Sequence, residues 1–113
     1  MSDDTIFAKI IRGELPADKV YEDDDVLAFR DINAAAPVHI LVIPKKPIVN
    51  LYDAAPEDAE LLGKTLIAAR IVAEEQGLES FRIVANNGAD AGQSVFHLHF
   101  HVIGGRDLRW PPG

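Results

Sequence analysis

Apolar and polar residues alternate most regularly near the carboxyl end of the chain, where three histidines occupy every second position between apolar side chains. The run reads Val95, Phe96, His97, Leu98, His99, Phe100, His101, Val102, Ile103. Because side chains of a strand alternate between its faces, the pattern predicts a strand over residues 95–103 with its imidazoles on one face. A helix would scatter them around more than half of its circumference. One face is therefore expected to join the core, through Phe96, Leu98, Phe100 and Val102, and the other to form a site.

Four more apolar runs are typical of strands, and they cover residues 20–22, 26–31, 38–43 and 81–86. The first two flank the acidic residues 22–25. These favour a solvated hairpin tip over a metal site, because consecutive carboxylates on a turn lack ligand spacing. The third run ends at Pro44 and has His39 as its polar residue. A lone histidine in such a strand is usually a core residue with satisfied hydrogen bonds, but the other three histidines form a site that it could join.

Two segments carry apolar residues at helical spacing. Residues 5–12 predict a short amphipathic helix that stops before Gly13. Residues 56–76 predict a long helix, with Pro56 suited to its first position and Gly77 to its left-handed end. The apolar stripe of the long helix is expected in the core and consists of Leu61, Leu62, Thr65, Leu66, Ala69, Val72 and Ala73.

Length and composition indicate one globular domain. With 113 residues the chain can bury one core; residues 1–4 are expected to be flexible and residues 105–113 to form a polar tail. Cysteine is absent, which excludes disulfides, thiolate metal ligands and a cysteine nucleophile. No signal-peptide layout is present, and no apolar run approaches the roughly 20 residues of a membrane helix. These features favour a cytoplasmic protein without a membrane partner.

The charge of the chain limits its partners. The formal net charge is -7, from 18 acidic and 11 basic residues. Such a balance disfavours the broad basic surface of a nucleic-acid-binding protein. A small anionic ligand would need local donors to offset the acidic whole, from imidazoles, backbone N–H groups or Lys45 and Lys46.

The histidine face suits two chemistries, because alternate strand residues lie roughly 7 Å apart and neighbouring imidazoles converge on one small ligand. Three neutral histidines suffice to hold a catalytic zinc. Alternatively, the central imidazole attacks phosphorus while its neighbours hold the non-bridging oxygens. The loop of residues 86–94 favours phosphate, because its glycines, amides and Ser94 offer donors. Histidines without a ligand are the least favoured interpretation, since buried imidazoles need hydrogen-bond partners.

The sequence from His97 to Ile103 resembles the His-φ-His-φ-His-φ-φ signature (φ, apolar) of the histidine triad superfamily, in particular its Hint branch. The resemblance extends over nearly the whole chain, with a departure at Pro47, where relatives often carry histidine. It implies an α+β fold: an antiparallel sheet of about five strands with one short amino-terminal and one long central helix. Further matching segments are Asp-Thr-Ile-Phe from Asp4, Ala-Phe-Arg-Asp-Ile from Ala28, Leu-Val-Ile-Pro-Lys-Lys from Leu41, Gly-Gln-Ser from Gly92 and the terminal Trp-Pro-Pro-Gly.

The resemblance also implies catalytic roles. His99 would be the nucleophile that takes the nucleoside monophosphate, and His97 and His101 would orient it and bind the phosphate. His39 would complete the imidazole cluster. Ser94 would assist the leaving amine. No metal or other cofactor is implied.

A nucleotide-binding surface is implied in the same way, and it has a phosphate, a ribose and a purine part. The phosphate would be contacted by Asn86 and the backbone of Gly92, Gln93 and Ser94. Asp31 would bind the ribose hydroxyls. The purine would be walled by Phe7, Ile10, Phe29, Ile32 and Leu41. Apolar walls and one carboxylate also suit a nucleoside pocket on general grounds.

These observations lead to the expectation of a purine nucleoside phosphoramidase, which cleaves the P–N bond of an adenosine or guanosine 5′-monophosphoramidate through a nucleotidyl-histidine intermediate. A purine-nucleotide-binding protein acting through protein partners is the main alternative, and a metal-dependent hydrolase is a third. A homodimer is expected, because residues 81–86 would leave an apolar strand edge unpaired. The resemblance further implies that Trp110 reaches the leaving-group side of the partner's site.

Overall fold

The computed structural model describes residues 4–113 and has one five-stranded antiparallel sheet with a short and a long helix. The expected α+β class is therefore confirmed. Of the expected flexible segment 1–4, residues 1–3 lie outside the described residues. The helices are α1 (Ile6–Ile11) and α2 (Ala59–Glu75), and the strands are β1 (Lys19–Glu22), β2 (Val26–Arg30), β3 (Val38–Pro44), β4 (Phe81–Val84) and β5 (Phe100–Gly104).

The strand order is β1-β2-β3-β5-β4. β3 and β5, the paired strands that are farthest apart in the sequence, therefore lie side by side in the interior of the sheet. Parity along the strands divides the sheet into two faces. One face packs on α2 and contains Val26, Ala28, Ile40, Val42 and Val102 with Ala68, Ala69, Val72 and Ala73 of the helix. The opposite face packs on α1 and contains Leu27, Phe29, Leu41 and Ile43 with Phe7 and Ile10. His39 and His101 share the parity of the α1 face.

The helix ends follow their capping residues. The Thr5 hydroxyl accepts a hydrogen bond from the Ala8 N–H (3.1 Å) at the start of α1. Pro56 opens a single 3-10 turn before α2, so the regular helix begins three residues later than the sequence predicts. Gly77 has φ +74° and ends it in the left-handed region. Leu66 was expected in the core, but it is 42% exposed because α2 turns it away from the sheet.

The expected strand over residues 95–103 is wrong in its first half, because β5 begins only at Phe100. The ladder from β3 stops at the pair Val42 and Phe100, and two residues further along β3 stands Pro44, which has no N–H to donate. The Leu98 N–H instead donates to the Ile48 carbonyl (2.7 Å). Phe96, expected in the core, is 42% exposed as a result.

Within residues 4–113, every helix is too short or too polar to cross a lipid bilayer.

Candidate active site

The four histidines lie together on the α1 side of the sheet, at the junction of β3 and β5. The ring centroids of His99 and His101 are 5.0 Å apart, and those of His101 and His39 are 5.1 Å apart. His39, His97 and His99 are buried, whereas His101 is partly exposed. The pairing of Leu41 with His101 makes His39 and His101 diagonal neighbours, which explains the approach of residues 62 positions apart in sequence.

The backbone around His39 assigns the protons of two imidazoles. The Ala35 N–H donates to His39 Nδ1 (2.9 Å), so a neutral His39 carries its proton on Nε2. That Nε2 lies 2.8 Å from His101 Nδ1 and donates to it. His101 therefore carries its own proton on Nε2. Among the described residues this buried Nε2 has no hydrogen-bond partner, so it is a donor left for a ligand atom.

His99 has the opposite proton arrangement. Its Nδ1 lies 2.7 Å from the His97 carbonyl oxygen, which can only accept, so Nδ1 carries the proton and donates. Nε2 of His99 consequently holds a free lone pair. The Phe7 ring meets His99 edge to face at 5.0 Å and helps to fix the imidazole plane.

His97 anchors the segment that carries the site. Its Nε2 lies 2.7 Å from the Pro44 carbonyl oxygen and donates to it, and only 2% of the residue is exposed. This bond ties the segment before β5 to the last residue of β3. Such a position suits the orienting role expected for His97, and its expected contact with phosphate stays a prediction.

Burial keeps the two central imidazoles neutral. It lowers the pKa of His99 below the ordinary value of 6.5, against smaller opposing effects of the His97 carbonyl and Asp31. It also lowers the pKa of His101 to about 4, helped by the neighbouring His99 and His39 and opposed by Asp31. At pH 7 His99 is therefore an uncharged base with a lone pair, and His101 an uncharged donor.

Asp31 lies at the edge of the imidazole cluster. Its Oδ2 is 3.4 Å from His39 Nε2, and its Oδ1 accepts the Asn33 N–H at 2.8 Å. The carboxylate favours a proton on His39 Nε2, in agreement with the assignment from Ala35. Its expected contact with ribose hydroxyls would bring the sugar next to His39 and stays a prediction.

The expected purine wall is only partly assembled. Phe7, Ile10, Phe29 and Leu41 are buried in one cluster between α1 and the sheet. Ile32, by contrast, is 96% exposed in the turn after β2 and packs against none of them. The structure thus separates Ile32 from the other four, because the chain leaves the sheet after Arg30.

Gln93 organises the loop that precedes the triad, through a buried side chain whose importance the sequence does not reveal. Its Oε1 accepts the Gly88 N–H (2.8 Å) and the Asn50 amide (3.2 Å). Its Nε2 donates to the carbonyls of Val49 (2.7 Å) and Val95 (3.1 Å). A Gln-containing loop with flanking glycines is the only signal that could have suggested this role.

The remaining residues expected to contact the phosphate lie in the loop before the triad. The Gly92 backbone has φ +97°, and a Cβ there would lie 3.6 Å from the Asn86 amide. The N–H groups of Gly92 and Gln93 donate within the loop, to the Ala89 and Gly88 carbonyls. These two amides would have to leave their partners to bind a phosphate. Ser94 is exposed, and its expected help to the leaving amine stays a prediction.

Two groups that matter to the site were missed at the sequence level because they belong to the backbone. They are the Ala35 N–H, which fixes His39, and the Pro44 carbonyl, which holds His97. In the sequence, Ala35 lies in the connector before β3 and Pro44 ends β3. Neither feature indicates that the backbone there will hydrogen-bond to a histidine.

Two surface clefts of the described residues have no histidine in their lining. One of about 330 Å³ lies between Lys45, Lys46 and α2, and one of about 530 Å³ lies beside β4 and Arg106. The first is lined by three lysines and four acidic residues, and each of the three lysines is in an ion pair. The chemistry of the imidazoles, rather than the depth of a cavity, identifies the candidate site.

Asp31, His39 and His101 offer atoms within 4.8 Å of one another, a spacing that could suit a metal ion. A neutral histidine that binds a metal through Nε2 carries its proton on Nδ1 and donates it. His39 has the reverse arrangement, because its Nδ1 accepts the Ala35 N–H. The residues as arranged therefore do not fit a cation at this place.

Comparison with known proteins gives consistent matches. The model of the HIT domain family matches residues 12–108. A 14 kDa zinc-binding protein of Brassica juncea is 53% identical over 113 residues, covering 97% of this chain and 100% of that protein. The structure of a HIT family hydrolase from Legionella pneumophila Philadelphia 1 has a TM-score of 0.95 and 46% identity, covering 97% of this chain and 100% of the other. A histidine triad nucleotide-binding protein from Candida albicans has a TM-score of 0.85 and 31% identity, covering 93% and 77%.

Proposed function

Because the chain belongs to the HIT domain family, we propose that it is a purine nucleoside phosphoramidase of the Hint branch. It would hydrolyse the P–N bond of an adenosine or guanosine 5′-monophosphoramidate. The observation that carries this proposal is the proton arrangement of His99, whose Nδ1–H is held by the His97 carbonyl while Nε2 keeps a lone pair. The hydrolase and nucleotide-binding protein among the similar structures support the same class of chemistry.

In the first step, His99 Nε2 attacks phosphorus and forms an N–P bond while the P–N bond of the substrate breaks. The departing nitrogen keeps the bonding electron pair and receives a proton from solvent through the Ser94 hydroxyl. In the second step, water attacks phosphorus, the electron pair of the enzyme's N–P bond returns to His99, and a proton of the water goes to solvent. The sum is substrate plus water giving nucleoside monophosphate and amine.

His101 stabilises the charge that develops on the phosphoryl oxygens. Its Nε2–H is buried and without a protein partner, and it lies on the ring next to the nucleophile, 5.0 Å between centroids. A preorganised donor of this kind contributes roughly 10²- to 10³-fold in rate. The low pKa of His101 means that it acts as a neutral donor and is not itself an acid at pH 7.

The nucleoside would lie on the α1 side, with the purine against the cluster of Phe7 and its neighbours and the ribose at Asp31. Ile32, exposed at the rim, would cover the base once it is bound. A buried apolar wall with one carboxylate suits a nucleoside better than a free phosphate.

We further propose that the reaction needs no metal. The Brassica relative is named for zinc, but His39 presents an N–H where a ligand lone pair would be required. Both steps, cleavage of the P–N bond and hydrolysis of the intermediate, are complete with His99, His101, Ser94 and water.

A homodimer is part of the proposal. β4 lies at the edge of the sheet, Phe81 is 38% exposed, and α2 exposes Leu66 and Ile67. Pairing of β4 with its copy would remove this edge. Trp110, 80% exposed in the tail, would then reach the partner's leaving-group side. Light scattering should give about twice the 12.3 kDa chain mass, and a monomer with full activity would contradict the dimer. Truncation before Trp110 should change the leaving-group preference more than the purine affinity.

The variant His99→Ala tests the enzyme against the nucleotide-binding alternative. Turnover of an adenosine phosphoramidate should fall by at least about 10²-fold, while adenosine monophosphate still binds in a calorimetric titration. Gln76→Ala, changed at the end of α2 on the opposite face of the sheet, serves as a control for handling and folding. Near-normal turnover in His99→Ala would identify another nucleophile, and equal lack of turnover in the unmodified protein would favour a binding protein.

A further inference from the structure

Arg106 lies outside the imidazole cluster but is connected to it through one residue. Its Nη2 donates to the Ala35 carbonyl (3.0 Å), and its Nη1 donates to the Asp107 carbonyl (2.9 Å). Ala35 in turn donates its N–H to His39 Nδ1. Arg106 thus holds the residue whose amide determines where His39 carries its proton.

The end of the central strand pair brings Arg106 to this place. Gly104 of β5 pairs with Val38 at the start of β3. The next residue, Gly105, has φ +91°, and a Cβ there would lie 3.0 Å from the Pro37 Cβ. Glycine therefore lets the turn after β5 lie directly against the connector of residues 33–37, within reach of the Arg106 side chain.

Two proton arrangements are chemically available to the pair of His39 and His101. In the observed arrangement, His39 Nε2–H donates to His101 Nδ1, and His101 presents Nε2–H to the ligand. If Ala35 released His39 Nδ1, that nitrogen could take the proton. His39 Nε2 would then accept from His101 Nδ1–H, and His101 would present a lone pair to the phosphoryl oxygen. The second arrangement replaces an attractive contact by a repulsive one.

We propose that Arg106 is a positioning residue for the phosphoramidase reaction: by holding Ala35 it keeps the His39 and His101 relay in the arrangement that donates to the phosphoryl oxygen. The inference rests on the proposed function of the site. Asp31, 3.4 Å from His39 Nε2, favours the same arrangement, so Arg106 and Asp31 act on the relay from opposite sides. The nucleophile is not touched, because the His99 proton is fixed separately by the His97 carbonyl.

The test compares Arg106→Met, which keeps length and removes the donors, with Arg106→Lys, which keeps one cationic donor. Arg70→Met is the matched control, since Arg70 is exposed on α2 and pairs only with Glu74 among the described residues. In Arg106→Met, kcat should fall about 5- to 10-fold, the loss expected for one exposed charge-assisted hydrogen bond, with little change in KM. Arg106→Lys should recover most of this loss, and Arg70→Met should match the unmodified protein.

The decisive readout is the ¹⁵N chemical shift of the imidazole nitrogens, which reports the tautomer without any turnover. In the unmodified protein, His39 Nδ1 and His101 Nδ1 should be unprotonated, and Arg106→Met should raise the protonated fraction at both. Unchanged tautomers in Arg106→Met would overturn the inference, whether or not kcat falls. So would a shifted tautomer with unchanged kcat in an active enzyme. If the unmodified protein shows no phosphoramidase activity, the proposed function fails separately, while the tautomer shifts still decide whether Arg106 controls the relay.

Discussion

The buried side-chain amide of Gln93 should contribute more to the free energy of unfolding than the side chain of any other residue in the loop around it. The variant Gln93→Leu keeps a similar side-chain volume and removes four hydrogen bonds of 2.7 to 3.2 Å. It leaves the Gly88 N–H, the Asn50 amide and two carbonyls without this partner. At a net value of about 1 kcal/mol for each bond, the expected loss in free energy of unfolding is about 4 kcal/mol.

Urea and thermal unfolding measure this loss. For a domain of this length, about 4 kcal/mol corresponds to a fall of roughly 15 °C in Tm. Gln76→Leu is the matched control, because the Gln76 amide makes one exposed 3.3 Å contact with Arg30. It should change the free energy of unfolding by no more than about 0.5 kcal/mol. A loss below about 1 kcal/mol in Gln93→Leu would refute the assignment of Gln93 as the organiser of the loop.

The same variant connects the loop to the site. Gln93 holds the Val95 carbonyl, and Val95 begins the segment that leads to His97 and His99. At a temperature where Gln93→Leu remains folded, kcat should therefore fall while the unfolding signal stays native. Native kcat in a destabilised protein would show that the loop supports the fold without positioning the triad.

Three further predictions concern protons and metals. Burial lowers the pKa values of His99 and His101 in the folded state, so below pH 6.5 the unfolded chain binds more protons than the folded one. The free energy of unfolding should therefore fall as the pH drops from 6.5 towards about 4. Urea titrations over this range measure it, and a value that stays constant or increases on acidification would contradict the prediction. The acid limb of kcat/KM should likewise lie below pH 6.5, where His99 becomes protonated, and a limb above that value would exclude His99 as the neutral base. Activity should survive exhaustive chelation, as measured by turnover and elemental analysis before and after treatment. If chelation removed a stoichiometric metal together with the activity, and adding the metal back restored the activity, the tautomer assigned to His39 would be contradicted.

Much of the sheet could be predicted because alternate residues of a strand point to opposite faces, so the sequence pattern shows which side chains share a face. The alternation in β2 and β3 determines which side chains face α2 and which face α1, and it places His39 on the α1 face. The approach of His39 to His101 follows once the register between β3 and β5 is known. Register depends on where a ladder ends, and no local pattern specifies that.

The segment before β5 shows where the pattern fails. Residues 95–99 alternate like a strand, yet the ladder ends at Val42 and Phe100, and hydrogen bonds to the Ile48 and Pro44 carbonyls take over. Phe96 is exposed for this reason. The side-chain bonds of Gln93 and the position of Ile32 were equally out of reach, because both depend on how loops distant in sequence meet.

In the proposed mechanism His99 Nε2 becomes covalently bound to the nucleotide, since its other nitrogen is held by the His97 carbonyl. Intact-protein mass spectrometry after rapid quench of the enzyme with an adenosine phosphoramidate tests this most directly, with the adduct localised by peptide mapping. We expect an acid-labile adenylate on the peptide that carries His99, formed and lost at rates compatible with kcat and absent in His99→Ala. An adduct on another residue, or full turnover without any adduct in the unmodified protein, would rule out this mechanism.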